Sequence, residues 1–424
     1  MKNFLNKIFS NKVLVKNFTS LSLLQFTNYL FPLLTFPYLV RVLGPEKYGL
    51  INFAAAFTGY FAILTDYGFN LSATQEISVN REDKGKILET FSSVLSAKLF
   101  LYAVSTVIFI MCMVLFGVFK NDLFVFIVSY SGLLGTVIFP LWYFQGTEKM
   151  NFIFFINFII KLITVITIFL FITYSADYLL LIAFYSAGQL IYGFVGLLIV
   201  RIKFGLKFSL PKFKNVFSQL RNGKNYFVSS LSINVVTSSN VFILGLFADK
   251  NIVGYFAAAD KIRLAFQSLL GPLFTSTFPY VTNLAKKSLD EFYSFNKNSF
   301  KLTLVIGTSI FLILYFSSEY LGVFVLGEKY HDSIIILKLI SIVPLLYGIS
   351  NFLGVQILLP LNYSKKYASI MITTLTVHLF LSILLIYNFQ AFGSATALVF
   401  SEIFLIFLLL LTVKKIDKTF KNNK

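Results

Sequence analysis

Along most of this chain, runs of about twenty apolar residues alternate with short polar connections. A helix needs roughly twenty residues to cross ~30 Å of hydrocarbon. On that template the chain divides into twelve helices, near 18–40, 49–70, 91–116, 123–144, 152–173, 179–200, 225–247, 253–281, 299–317, 333–360, 368–389 and 393–413. The even number places both termini on one side. The pattern predicts an all-α integral membrane protein. Composition agrees: 57% of residues are hydrophobic and 13% charged, with mean hydropathy +0.80, and 52 Phe and 23 Tyr supply bulk for lipid and for its interface.

The net charge is +18, but Lys and Arg are spread between the apolar runs rather than gathered on one face, which argues against nucleic acid as a partner. Their spread has another order. The connections predicted to be cytoplasmic hold 25 of the 36 basic residues, and the opposite loops hold five, Arg41, Lys47, Lys120, Lys250 and Lys329. That bias is the one expected when both termini are cytoplasmic. It predicts a basic interfacial segment at 1–17, six helices over 18–200, a basic linker at 201–224, six more helices over 225–413 and a basic tail at 414–424. The apolar run after residue 17 is too long for a signal peptide and lacks a small-residue cleavage site, so the N-terminus is expected to be retained.

Candidate chemistry is sparse. Cys112 is the sole cysteine, so no internal disulfide is expected, and His331 and His378 are too few and too far apart for a zinc site. No metal and no cofactor is expected. There is no G-x-x-x-x-G-K-[ST] phosphate loop and no external loop large enough for a catalytic domain, which leaves a transporter rather than an enzyme. The halves also echo each other: RVLGPEKYGLINFAAAF (41–57) and GLFADKNIVGYFAAADKI (245–262) each carry a polar turn, a glycine (Gly49, Gly254) and then FAAA. FPLWYFQGTEKM (139–150) and LLPLNYSKKY (358–367) form a second echo. Seven prolines, Pro32, Pro37, Pro140, Pro272, Pro279, Pro344 and Pro360, fall inside predicted spans, where they kink helices for packing or to shape a cavity.

The stretch PYLVRVLGPEKYGLINFAAAF…DYGFNLSATQEIS (37–78), with FPLWYFQGTEKM, GYFAAADKIRLAFQSLLGPLFTSTFPYV (254–281) and GSATALVFSE (393–402), resembles the polysaccharide transporter family, in particular its Wzx-type flippases. The resemblance covers nearly the whole chain. It implies two pseudo-symmetric six-helix lobes around a central cavity, alternating access, and a place in a bacterial inner membrane. It also implies a polyprenyl-pyrophosphate-linked oligosaccharide as substrate, specifically an O-antigen or capsule repeat unit on undecaprenyl pyrophosphate, with the polysaccharide polymerase machinery and membrane lipids as partners.

Charges inside spans cost roughly 2.5–3.5 kcal/mol each on insertion scales and normally face a cavity or a partner. Here they are Lys98, Lys161, Lys261, Arg263, Lys301, Lys338, Asp66, Asp260 and Glu402. The basic excess suits a pyrophosphate. Lys161, at mid-span with Asn157 one turn earlier, is the leading cavity cation, while Lys98 could instead snorkel and Lys301 and Lys338 lie near span ends. Asp260, Arg263 and Gln267 share a helix face as a polar cavity wall or an internal salt bridge, with Lys261 pointing elsewhere. Arg41 is placed to bind substrate or a lipid headgroup.

Asp66, Glu402 and His378 are candidates for coupling to H⁺ or Na⁺. Asp66 could equally pair with Arg81 or cap the DYGFN loop, and His378 could be a packing residue. The seventh span is unusually polar (Ser229, Ser230, Ser232, Asn234, Thr237, Ser238, Ser239, Asn240) and suits either sugar hydroxyls or close helix packing. A cation-coupled small-molecule exporter of the same fold would favour an acidic cavity. A membrane glycan polymerase or ligase would show a large external loop with paired Arg.

Overall fold

The structure, a computed structural model, describes the backbone of residues 12–422 and their side chains except those of 12–18, 21, 22, 225, 228–238 and 417–422. Among the described residues all regular structure is helical. In chain order the main helices are α1 (Lys12–Asp66), α2 (Phe69–Val79), α3 (Lys84–Leu115), α4 (Leu123–Ile138), α5 (Leu141–Gly146), α6 (Met150–Phe171) and α7 (Tyr178–Lys203). They are followed by α8 (Phe213–Phe247), α9 (Lys250–Gln267), α10 (Gly271–Lys287), α11 (Leu289–Phe316), α12 (His331–Ile340), α13 (Val343–Asn351) and α14 (Ser364–Asn422).

Eight helical stretches among the described residues are long and apolar enough to cross a bilayer. Two of them, Leu23–Val79 and Ser364–Ile416, run to 57 and 53 residues. At about 1.5 Å per residue each is more than twice as long as the hydrocarbon is thick. Each contains a break, at Gly44 (φ 71°, ψ 172°) and at Gln390 (φ 49°, ψ −123°), and both breaks fall in connections that the hydrophobic pattern anticipates.

Elsewhere the local chemistry shifts the boundaries. The basic connection after residue 200 becomes helical at Phe213, because Phe213, Val216, Phe217 and Leu220 share one face; Phe213 and Phe217 remain exposed, as an interfacial helix requires. The span expected over 253–281 is helical throughout, with α9 and α10 joined through a tighter 3-10 turn at Ser268–Leu270 just ahead of Pro272. The span over 333–360 also stays helical, passing through a turn at Ser341 and Ile342 before Pro344 and a π-helical stretch at Phe352–Leu358.

The chain forms two compact units, one of residues 1–43 and 54–234, the other of residues 44–53 and 235–424. The core of the first is aromatic: Phe57 stacks on Phe119 at 4.8 Å and Phe109 on Tyr130 at 4.2 Å, and the Tyr130 hydroxyl lies 2.6 Å from Ser105 Oγ. In the same unit α4 runs against α7 with backbones almost in contact: a Cβ on Gly135 would fall 1.9 Å from the Gln189 carbonyl oxygen. The core of the second includes Leu353, Leu358, Ile370, Leu405, Leu409 and Ile416. Outside both cores, apolar side chains face outward, among them Val107, Met111 and Val114 on α3 and Ile159, Ile163 and Leu170 on α6. Water would penalise such a surface; lipid does not.

In the second unit, Gly49 and Gly254, the two glycines of the sequence echo, meet. A Cβ on Gly49 would lie 2.0 Å from the carbonyl oxygen of Lys250, and one on Gly254 would lie 2.0 Å from that of Pro45. Each glycine thus touches the carbonyl four residues before the other. The contact is reciprocal.

Candidate functional site

In the first unit, α1 ends at Asp66 and is followed by two left-handed residues, Tyr67 (φ 46°) and Gly68 (φ 75°). Gly68 is needed there twice over, since a Cβ would also lie 2.5 Å from Tyr226 Cβ on α8. Stacking of the Tyr67 ring on Phe227 at 4.6 Å holds the less favourable of the two conformations. The turn presents Asp66 to Lys98 of α3, with Oδ1 3.7 Å from Nζ. Lys98 is 3% exposed, lies 3.5 Å from the Thr136 carbonyl oxygen and sits 4.9 Å above the Trp142 ring. Lys98 therefore does not snorkel; a carboxylate, a carbonyl and an indole face hold it in place. Asp66 does not pair with Arg81 either. Arg81 reaches Glu148 at 2.9 Å, so that Asp66 and Lys98, read separately from the sequence, form one charge pair.

Lys161 lies on α6, about ten residues from either end, as the only charged residue of that helix. Its ammonium donates to Asn28 Oδ1 of α1 at 2.6 Å. Asn157 lies one turn earlier on α6, and its buried Oδ1 has no hydrogen-bond partner among the described residues. Asn28, Asn157 and Lys161 thus make a polar strip between two helices whose remaining surfaces are largely apolar. The amide partner from α1 was not legible in the sequence, because Asn28 lies in an apolar run with no spacing that ties it to α6.

In the second unit, the polar stripe on α9 is an internal network. Arg263 Nε donates to Asp260 Oδ1 at 2.7 Å, and Nη1 donates to Gln267 Oε1. Asp260 and Arg263 are both buried. Glu402 of α14 lies within electrostatic reach of the same guanidinium and accepts from Ser350 Oγ at 3.0 Å. One cation therefore stands among two carboxylates. Lys261, next in the chain to Asp260, is exposed on another face of α9.

His378 is buried among serines. Nδ1 lies 2.8 Å from Ser401 Oγ, and Nε2 lies 3.0 Å from Ser239 Oγ and 3.4 Å from Ser382 Oγ. Ser401 gives its own proton to the Ala397 carbonyl at 2.6 Å, so it accepts from Nδ1–H, and Nε2 is left as the acceptor for serine hydroxyls. That arrangement satisfies a neutral ring in one tautomer, the arrangement of a packing histidine. Asn240 is buried, with its Oδ1 unpartnered among the described residues, and Arg41 is exposed near the Gly44 break. Asn234 and the Ser229–Ser238 stretch lie outside the residues whose side chains are described.

A groove in the first unit was not anticipated. It measures about 610 Å³ and is lined by Ser72, Gln75, Glu76, Val79 and Asn80 of α2 and its C-terminal turn, and by Arg221, Asn222 and Tyr226 of α8. Within it Glu76 is held by Thr90, whose Oγ1 donates to Oε1 at 2.8 Å, and by Gln219, whose Nε2 donates to Oε2 at 3.0 Å. No sequence spacing relates α2 to α8; their meeting depends on the turn at Tyr67 and Gly68.

Two kinds of known protein share this architecture. A solved structure described as an inward-facing multidrug resistance MATE family transporter of the MOP superfamily superposes with TM-score 0.74 at 12% identity, covering 93% of this chain and 96% of that one. The lipid II flippase MurJ, in an inward closed conformation, superposes with TM-score 0.73 at 16% identity, covering 93% and 87%. At such identities these likenesses show the fold. In sequence, a protein of Escherichia coli (strain K12) named "Putative O-antigen transporter" is 33% identical over 407 residues, spanning 96% of this chain and 98% of its own length. A protein of the same name from Shigella dysenteriae is 30% identical, spanning 94% of this chain and 100% of its own length. The family model for polysaccharide biosynthesis proteins matches residues 14–285. With that match and two full-length relatives, the chain belongs to the polysaccharide biosynthesis protein family.

Proposed function

We propose that this protein is a flippase that moves an oligosaccharide repeat unit, linked to undecaprenyl pyrophosphate, from the cytoplasmic to the outer face of a bacterial inner membrane. Family membership and the O-antigen transporter relatives support a lipid-linked glycan as cargo. The observation that carries the reading at the site is Lys161. An ammonium as the one charged group of an apolar helix, held by the Asn28 amide, is costly to keep in lipid and suits a doubly charged phosphate linker in a low-dielectric path. In this reading the twelve crossings form two six-helix lobes, both termini are cytoplasmic, and the lobes alternate access to a central path while the polyprenyl tail stays in lipid. The excess of carboxylate around Arg263 suits H⁺ or Na⁺ coupling at Glu402 or Asp260, and the polymerase machinery receives the flipped unit.

The test is export. Lys161→Ala is expected to cut surface glycan by at least about tenfold, equivalent to roughly 1.4 kcal/mol on the rate-limiting step, with normal membrane insertion, while Lys161→Arg retains most activity. Labelled surface glycan and the pool of lipid-linked precursor are measured together. Full export by a normally inserted Lys161→Ala protein would sink the assignment. A small-molecule exporter would leave the precursor pool unchanged when the protein is deleted.

A further inference from the structure

The groove between α2 and α8 carries a second site. Its lining is mostly uncharged and polar: three amides (Gln75, Asn80, Asn222), the Ser72 hydroxyl and the Tyr226 ring, with one carboxylate, Glu76, and one guanidinium, Arg221. A phosphate site gathers cations, and a lipid-tail site gathers apolar walls. Neither describes this lining. An amide such as Asn222 pairs a donor with an acceptor on one group, which matches vicinal sugar hydroxyls, and a tyrosine ring offers a flat amphipathic face; Asn80 is engaged within the wall, donating to the Glu76 carbonyl at 2.8 Å and accepting from Lys86. The volume of about 610 Å³ falls within the range of roughly 300–1,000 Å³ usual for small-molecule sites.

The lining is also set in advance. Gln75 Oε1 accepts from the Tyr226 hydroxyl at 2.9 Å, and Glu76 is held from behind by Thr90 and Gln219, so little ordering remains for a ligand to impose. Immediately before the groove, α8 carries the exposed Phe213 and Phe217 of its interfacial face. A ligand here would therefore have its polar part in the groove beside a membrane surface, as a sugar tethered to a lipid must.

We propose that this groove binds sugar rings of the lipid-linked oligosaccharide as a loading subsite, separate from the Lys161 strip; the assignment rests on the flippase reading above. Its contacts are to glycan hydroxyls, and Arg221 extends it to acidic sugars.

The probe is the free oligosaccharide released by mild acid from the lipid-linked glycan that accumulates when this protein is deleted. Binding to the purified full chain is measured by equilibrium dialysis. Val79→Trp projects into the groove from a side chain that is 78% exposed, so it fills the site without entering a core. Val79→Trp and Asn222→Ala are each expected to weaken binding by about tenfold and to slow glycan export, with an unchanged melting temperature. Asn222→Ala alone carries the test if the tryptophan disturbs folding. Wild-type affinity in a folded Asn222→Ala protein, or no binding by the unaltered chain, overturns the subsite and leaves the flippase reading standing. Failure of any lipid-linked glycan to accumulate on deletion overturns both.

Discussion

Gly254→Val is expected to remove most of the folded protein from the membrane, and Gly254→Ala to lower its melting temperature sharply. The first added carbon would lie 2.0 Å from the Pro45 carbonyl oxygen, on a backbone that cannot rotate away as a side chain could. The two segments must separate by more than an ångström, or the helices must distort. Overpacking typically costs 1–3 kcal/mol, and a backbone contact lies at about the upper end. Gly49→Ala presents the same obstacle to the Lys250 carbonyl from the other side. Because both substitutions open one contact, their combined effect is expected to fall well short of additive. Detergent-solubilised melting curves of the two single variants and the double variant decide it. Wild-type melting in both alanine variants would show that this contact is looser than described.

Removing the carboxylate of Asp66 should be more damaging than removing the ammonium of Lys98. Asp66→Ala leaves Lys98 buried beside only a carbonyl and an indole, and breaking a buried pair from one side costs about 3–5 kcal/mol. Asp66 has a side chain 30% exposed and lies 3.7 Å from its partner, so the loss should fall near the lower figure. Lys98→Met leaves a carboxylate far less enclosed by protein than the ammonium was, and methionine fills the vacated space. The double variant Asp66→Asn/Lys98→Met should therefore express and melt more like the parent than Asp66→Ala does. Equal destabilisation by the two single substitutions would contradict the asymmetry of burial on which this rests.

The sequence made the membrane class, the two breaks at Gly44 and Gln390 and the α9 network legible, because each has a local cause. Apolar run length fixes spans, and Asp260, Arg263 and Gln267 meet through helical spacing alone. Contacts between distant segments were not legible. Asn28 and Lys161 are far apart in the chain, as are Asp66 and Lys98, and nothing in their local patterns selects these partners. The 3-10 turn that joins α9 to α10 within 253–281 leaves no mark in the hydropathy, which continues smoothly through Ser268–Leu270 ahead of Pro272. The echoed FAAA segments occupy an intermediate position. Their similarity was visible in the sequence, but only coordinates could bring Gly49 and Gly254 against each other.

Trp142 is the chain's only tryptophan, and it is buried beneath the Lys98 ammonium. All of the protein's indole emission therefore originates at one charged contact. Its wavelength and quenching report on the Lys98 environment without any label, so a transport cycle that moves this lysine would carry its own optical signal.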